Sequence, residues 1–240
     1  MRTIGMLGGM SWESTAEYYR LANELVRDRL GGVHSARILL DSVDFADIEA
    51  LQASGDWDRA GRLLADRAHA LELGGADLIV LCTNTMHKVV GVIEQALSIP
   101  VLHIADAASA RVRAAGIGTV GLLGTAFTME QDFYRDRLTA GGLGVIVPDA
   151  ADRGTVHRVI YTELVRGIVR EESRAAYRDV IGRLVERGAE GIILGCTEIE
   201  LLITADDSPV PVFPTTRLHV EAAVDAALAA DDPADRRHDG

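Results

Sequence analysis

Short, almost uninterrupted apolar runs alternate along the chain with longer stretches in which apolar positions recur every three or four residues. That alternation predicts strands and helices taking turns. Ile4–Leu7 is the first such run and ends at Gly8-Gly9. Ser14-x-x-Glu17 has the form of a capping box and opens a helix with Tyr18, Ala22, Leu25 and Val26 at helical spacing. Arg37–Ser42 reads as a second strand. Trp57, Ala60, Leu64 and Leu71 form the apolar stripe of a helix that stops at Gly74-Gly75. Asp77–Leu81 reads as a third strand, Met86–Leu97 as a helix, and Pro100–Ile104 as a fourth strand. A helix near Ala105–Ala114 follows.

The pattern then restarts. Val120-Gly121-Leu122-Leu123-Gly124 echoes Ile4-Gly5-Met6-Leu7-Gly8 at an offset of 116 residues. Ala-Asp-Leu-Ile-Val-Leu-Cys82-Thr-Asn-Thr is echoed by Ala-Glu-Gly-Ile-Ile-Leu-Gly-Cys196-Thr-Glu at 114, and Pro100-Val101 by Pro211-Val212 at 111. Three echoes in one order at nearly one offset indicate an internal duplication. The predicted fold is α/β: two pseudo-symmetric, doubly wound parallel-sheet domains with a cleft between them. The first is expected to comprise residues 1–104 plus 215–230, with the final helix Thr215–Ala230 returning to it. The second is expected to comprise residues 105–214. The charged, proline-bearing segment 231–240 reads as a disordered tail.

Composition narrows the function. The 240 residues are 48% hydrophobic, and no apolar stretch is long enough to span a bilayer. The opening Met1-Arg2-Thr3 leads directly into the first strand, without the apolar region of a signal peptide, so a cytoplasmic location with reduced thiols is expected. A formal net charge of −12 argues against nucleic acid or an anionic membrane as partner. Lys88 is the sole lysine and lies in a predicted helix with no evident phosphate site, which argues against a pyridoxal phosphate Schiff base.

Cys82 and Cys196 are the only cysteines, one at the exit of the matching strand in each half. A lone cysteine in such a place is ordinarily a small buried hydrophobe. A disulfide is disfavoured by the compartment, and zinc by the absence of a nearby His pair. Their equivalent placement, the polar residues that follow each, and a predicted helix start beside each suggest chemistry instead. Helix N-terminal amides would favour the thiolate. A thiolate on one face of a carbon and a thiol on the other can remove one proton and return another, inverting the centre. Thr83, Asn84, Thr85 and Thr197, with the loop amides, are candidate donors to a substrate carboxylate.

The opening Ile4–Thr15 (Ile-Gly-Met-Leu-Gly-Gly-Met-Ser-Trp-Glu-Ser-Thr), Cys82-Thr-Asn-Thr-Met-His87 and Leu194-Gly-Cys-Thr-Glu198 resemble the aspartate/glutamate racemase family. The Met-Ser-Trp-Glu-Ser-Thr opening and Ser42-Val-Asp-Phe45 most resemble its enterobacterial broad-specificity amino-acid racemase branch. The resemblance covers all but about the last ten residues. It implies racemization by two bases without any cofactor, in a cleft between pseudo-symmetric domains, usually within a homodimer. Glutamate racemases carry Asp-Ser near the first strand and His after the second Cys-Thr, where this chain has Met10-Ser11 and Glu198. Strict aspartate racemases carry Pro-Asp-Arg after the second strand, where this chain has Ser42-Val-Asp-Phe-Ala-Asp-Ile48 and no arginine. Gln52, just beyond, could offer a neutral hydrogen bond instead. Arg166 in Leu-Val-Arg-Gly matches the family's second cationic grip. Such a pocket implies a broad or neutral-to-acidic amino-acid substrate.

Gly8-Gly9 lacks the pattern of a phosphate loop and reads as a tight turn, with Met10 and Ser11 beyond it lining the cleft or, for Met10, the core. His87 is placed on the outer part of its helix, as a surface residue or a proton partner. Glu198 could raise the Cys196 pKa by like-charge repulsion or complement a helix N-terminus. Trp12 and Trp57 read as packing or rim residues. The rival functions are another activity of the superfamily (hydantoin racemase, maleate isomerase, decarboxylase) and a non-catalytic amino-acid-binding module.

Overall fold

The structure, a computed structural model, describes residues 1–229. The expected tail 231–240 and the last residue of the expected final helix, Ala230, lie outside the described residues. The chain divides into two compact units. The first comprises Met1–Cys82, Val89–His103 and the segment from His219 on; the second comprises Thr83–Lys88 and Ile104–Leu218.

In the first unit β1 (Ile4–Gly8), α1 (Trp12–Leu30), β2 (Ile38–Ser42), α2 (Phe45–Ser54), α3 (Trp57–Leu73), β3 (Leu78–Leu81), α4 (Val90–Gln95) and β4 (Val101–Leu102) follow one another. The sheet is parallel, in the order β2-β1-β3-β4. β1 and β3 are buried along their whole length, as an unbroken apolar run in a sheet covered on both faces must be. Ile4, Met6, Tyr18, Val26, Val80 and Cys82 share one core with Val220 and Val224 of the last helix.

The second unit repeats the plan with α5 (Ile104–Ala114), β5 (Thr119–Gly124), α6 (Ala126–Glu130), α7 (Asp132–Ala140), β6 (Gly144–Ile146), α8 (Ala150–Thr162), α9 (Glu171–Glu186), β7 (Gly191–Gly195) and β8 (Val212–Pro214). Its parallel sheet runs β6-β5-β7-β8, the same order as the first. The last helix, α10 (Thr215–Ala229), begins here. Two glycines mark the repeat. A Cβ on Gly5 would lie 2.5 Å from Ile79 Cδ1, and one on Gly121 would lie 2.8 Å from Ile192 Cδ1. In both copies the central strand carries a glycine where its neighbour's isoleucine crosses over it.

Several local expectations change. The first helix starts three residues early: Ser11, not Ser14, is the N-cap, and its side chain accepts from the Ser14 amide. Ser14 instead turns inward and donates to the Cys82 carbonyl at 3.1 Å. α2, capped by Asp44, leaves no helical stripe in the sequence because its apolar residues are spread around the helix rather than gathered on one face. The expected helix Met86–Leu97 is a 3₁₀ turn at Thr85–Val89 followed by a short α4. The segment 83–88 and the first residues of α10, expected in the first domain, cluster with the second unit. Their hydrogen bonds give the reason: Asn84 Nδ2 donates to Thr215 Oγ1 at 3.1 Å, and Tyr134 donates to Asn84 Oδ1 at 2.9 Å.

Two buried polar clusters fasten these elements. In the first unit His219 is wholly buried; its Nε2 donates to the Leu102 carbonyl at 2.8 Å, so Nδ1 accepts from the Tyr18 hydroxyl at 2.9 Å. Burial pushes the ring down, the Leu102 carbonyl pulls it up and nearby His103 pushes it down, leaving it at about 4. In the second unit Asp207 accepts from Thr204 N and Oγ1, Arg178 Nε at 2.8 Å and Arg174 Nη1 at 3.1 Å. Burial pushes its carboxyl up, but the hydrogen bonds from Thr204 and Arg178 and the charge of Arg174 outweigh that and hold it at about 2. Arg174 also donates to the Leu202 carbonyl, closing the loop that follows Cys196.

Two outcomes follow from these clusters. His219 should stay neutral in the folded protein while the unfolded chain takes up a proton below about 6.5. Its contribution is therefore complete above that pH and is lost as pH falls toward 4, by up to about 3 kcal/mol. Urea melts between pH 7 and 4 should show this loss, and it should shrink in His219→Gln. Asp207→Ala should cost at least about 2 kcal/mol in the same melts, because two arginines and Thr204 lose one acceptor.

Candidate active site

In an open parallel sheet the strand order reverses at one point, and the loops leaving the strands there form a crevice at their carboxyl ends. In the first unit that point lies between β1 and β3, and in the second between β5 and β7. Cys82 follows β3 directly and Cys196 follows β7 directly. Each thiol therefore sits at the switch point of its own sheet. Both are free.

The loop after β1 is built tightly. Gly9 has φ +89°, and a Cβ there would lie 2.1 Å from the Val43 carbonyl oxygen, so only glycine fits. Thr15 Oγ1 accepts from the Gly9 amide and donates to the Ser11 carbonyl, both at 2.8 Å. Met10 is buried and Ser11 partly so, its hydroxyl engaged as the helix cap. Gln52 is buried on α2. Trp12 is exposed and Trp57 half-buried.

In the second unit Thr83, Asn84 and Thr85 lie with the loop after β5. Thr85 Oγ1 is 3.4 Å from Thr125 Oγ1, which in turn is 3.3 Å from Thr128 Oγ1. Asn84 is largely committed: its oxygen accepts from Tyr134 and one amide hydrogen goes to Thr215, leaving one for a ligand. Thr197 is half-buried beside Cys196, and Arg166 is exposed on a 3₁₀ turn after α8. Thr125, Tyr134, Thr215 and His157, whose Nδ1 accepts from the Ala126 amide at 3.2 Å, escaped the sequence reading. Thr125 was within reach, since the 116-residue offset maps Gly8-Gly9 onto Gly124-Thr125.

His87 is the clearest relocation. It is buried rather than on an outer helix face. The Ile104 amide donates to its Nε2 at 3.3 Å, so Nδ1 carries the proton and donates to the Thr83 carbonyl at 2.8 Å. With both nitrogens engaged it braces the loop as a structural residue rather than a proton partner.

The expected activation of the thiols also needs correction. Burial pushes the Cys82 thiol well up, since the sulfur is part of the first unit's core. Burial likewise pushes Cys196 well up, and the charge of Glu198 and the hydrogen bond to it add to the rise. The amides of Glu198 and Ile199 pull the other way, as a helix start should, but a five-residue 3₁₀ turn cannot offset the loss of water. Of the two roles open to Glu198, the structure displays the first: Cys196 Sγ donates to Glu198 Oε2 at 3.0 Å.

Among the described residues no cluster of three or more His, Cys, Asp or Glu could hold a metal, and no helix is long and apolar enough to cross a membrane. Lys88 is half-buried on the Thr85–Val89 turn, and burial lowers its pKa.

A Yersinia pestis crystal structure, assigned provisionally as an Asp/Glu racemase, is 56% identical with a TM-score of 0.91, covering 95% of this chain and 100% of that one. An aspartate racemase homologue from Pyrococcus horikoshii OT3 is 32% identical with a TM-score of 0.84, covering 95% and 99%. The broad specificity amino-acid racemase RacX of Bacillus subtilis (strain 168) is 26% identical over 178 residues, 72% of this chain and 75% of that protein. The family model described as Asp/Glu/Hydantoin racemase matches residues 7–223. From first strand to last helix, then, the chain belongs to the Asp/Glu/hydantoin racemase family of isomerases.

Proposed function

We propose that this chain is a pyridoxal-phosphate-independent amino-acid racemase in which Cys82 and Cys196 exchange protons with opposite faces of the substrate Cα. The observation that carries the reading is the equivalence of the two free thiols, each at the switch point of one copy of a duplicated unit. A binding module would need neither. In one direction a thiolate at one cysteine takes the Cα proton and becomes a thiol. The other thiol gives its proton to the opposite face and becomes a thiolate. No covalent intermediate is required.

The raised thiol pKa values fit this chemistry. A buried thiol is inert until a positive charge arrives, and the substrate's α-ammonium group brings one to the atom next to Cα. The developing carbanion delocalises into the carboxylate, for which Thr83, Thr85, Thr197 and the remaining Asn84 amide hydrogen are the donors in this reading. The same reading assigns Met10, Ser11, Gln52 and Arg166 to substrate binding. One arginine and one neutral amide, rather than two fixed cations, favour broad or neutral-to-acidic amino acids over a strict diacid. The same reading carries a homodimer in the cytoplasm.

Purified protein incubated in deuterium oxide with single-enantiomer amino acids should exchange the Cα hydrogen and lose optical rotation without added cofactor. Turnover of a hydantoin or of maleate alone would replace this reading with another superfamily activity, and silence across the panel would leave a binder. Cys82→Ser and Cys196→Ser should each lower racemization by about 10²–10⁴-fold. A single variant at full rate overturns the two-base assignment. Because both thiols are pushed up, the thiolate fraction at neutral pH is small and grows with pH. The rate should therefore climb from pH 7 to at least 9, and a profile falling over that range contradicts the thiolate base.

A further inference from the structure

The two halves of the duplication differ where proton chemistry is decided. The 114-residue offset aligns Cys82-Thr83-Asn84 with Cys196-Thr197-Glu198, so Asn84 and Glu198 are counterparts. Asn84 is tied to Tyr134 and Thr215. Glu198 holds the Cys196 thiol at 3.0 Å and is itself half-buried, whereas the sulfur-bearing residue is only 7% exposed. Tyr177, which interacts with Cys196, and Glu163, which interacts with Tyr177, are both hydrogen-bonded elsewhere. Tyr177 on α9 donates to the Val156 carbonyl at 3.0 Å. Glu163 at the end of α8 accepts from Ser173 at 2.6 Å, with Arg158 3.9 Å away. Cys196 belongs to the buried apolar cluster that also holds Leu164, Ile199 and Leu202.

We infer that Glu198 is the proton partner of Cys196, aiming its S–H, taking its proton when the thiolate is needed and handing that proton to solvent, while Cys82 has no carboxylate partner among the described residues. The inference rests on the two-base reading above and deepens it. A turnover in which Cys196 removes the Cα proton leaves it as a thiol, and the next turnover in that direction needs the thiolate again. The steps balance: S–H and carboxylate become thiolate and carboxylic acid, and the acid then loses its proton to water. Glu198 is a positioning residue acting through Cys196. The two thiols thus reset by different routes despite their equivalent placement.

Two measurements test this. In a Cys82→Ser background Cys196 is the only thiol, and its alkylation by iodoacetamide can be followed against pH. Glu198→Gln removes the facing charge and should move the alkylation midpoint down by about one unit or more; an unchanged midpoint overturns the pairing. In the two-cysteine protein, Glu198→Gln should lower kcat for both enantiomers by about 10–100-fold. Because the equilibrium constant between enantiomers is one, kcat/KM must fall equally in both directions. Glu198→Asp, which keeps the charge with a shorter reach, should retain the midpoint and recover part of kcat; should the Gln variant not fold, Glu198→Asp still tests the relay, and unchanged kcat in it overturns the inference. A moved midpoint with unchanged kcat in Glu198→Gln also overturns the relay. A wild-type protein that racemizes no amino acid but shows the moved midpoint refutes the racemase reading and supports the pair.

Discussion

A parallel strand buried on both faces cannot release its chain to solvent gradually. The first residue beyond its last ladder bond still sits in the core layer, although the backbone has already turned toward the loop. Cys82 and Cys196 both occupy that position: the Cys82 amide donates to the Leu7 carbonyl at 2.9 Å while its sulfur packs with Ile4, Met6 and Val80. Desolvation of the two sulfurs is thus a consequence of the sheet itself, and it sets the chemistry available to them. It keeps both thiols protonated and unreactive, at the place where an α/β sheet presents its ligands.

The duplication supplies a second constraint. Gly5 and Gly121 each lie under an isoleucine at matching register, so the inner strands of the two units are packed alike. Freedom to diverge lies in the loops beyond the strands. There Gly8-Gly9 in one unit answers to Gly124-Thr125 in the other, and Asn84 answers to Glu198. One loop became a fastener bonded to Tyr134 and Thr215, and the other put a carboxylate against its thiol. The sheet cores hold the copies equal while the loops make them chemically distinct.

Legibility followed the same division. Unbroken apolar runs such as Leu78–Leu81 and Gly191–Gly195, and their echo at a near-constant offset, were readable because burial on both faces leaves a pattern in one dimension. The two thiols were readable because the offset made them equivalent. α2 was not, since its apolar residues are spread around the helix and make no stripe. The N-cap was misplaced because Ser14-x-x-Glu17 has the capping-box form and Ser11-x-x-Ser14 does not, and only packing reveals that Ser14 is spent on the Cys82 carbonyl. His87 and the thiol pKa values were misjudged for one reason: spacing tells which residues neighbour a helix start but not how far water has been excluded from it.

Water exclusion also bears on how two sluggish thiols would serve the proposed racemase. In an aqueous site a thiolate would be present in quantity but well solvated, and solvation blunts a base. In the proposed two-base reading the ionised form is scarce and poorly hydrated, so the charge that stabilises it comes from the ligand. An α-ammonium group does so only while bound, which ties formation of the base to the presence of the molecule it acts on. The Glu198 carboxylate works against a thiolate at Cys196 electrostatically, and in the relay inferred above it also offers the proton a way out. A site that needed Cys196 permanently ionised would have no use for a negative neighbour. A site that needs the same thiol to alternate between acid and base, turnover after turnover, does.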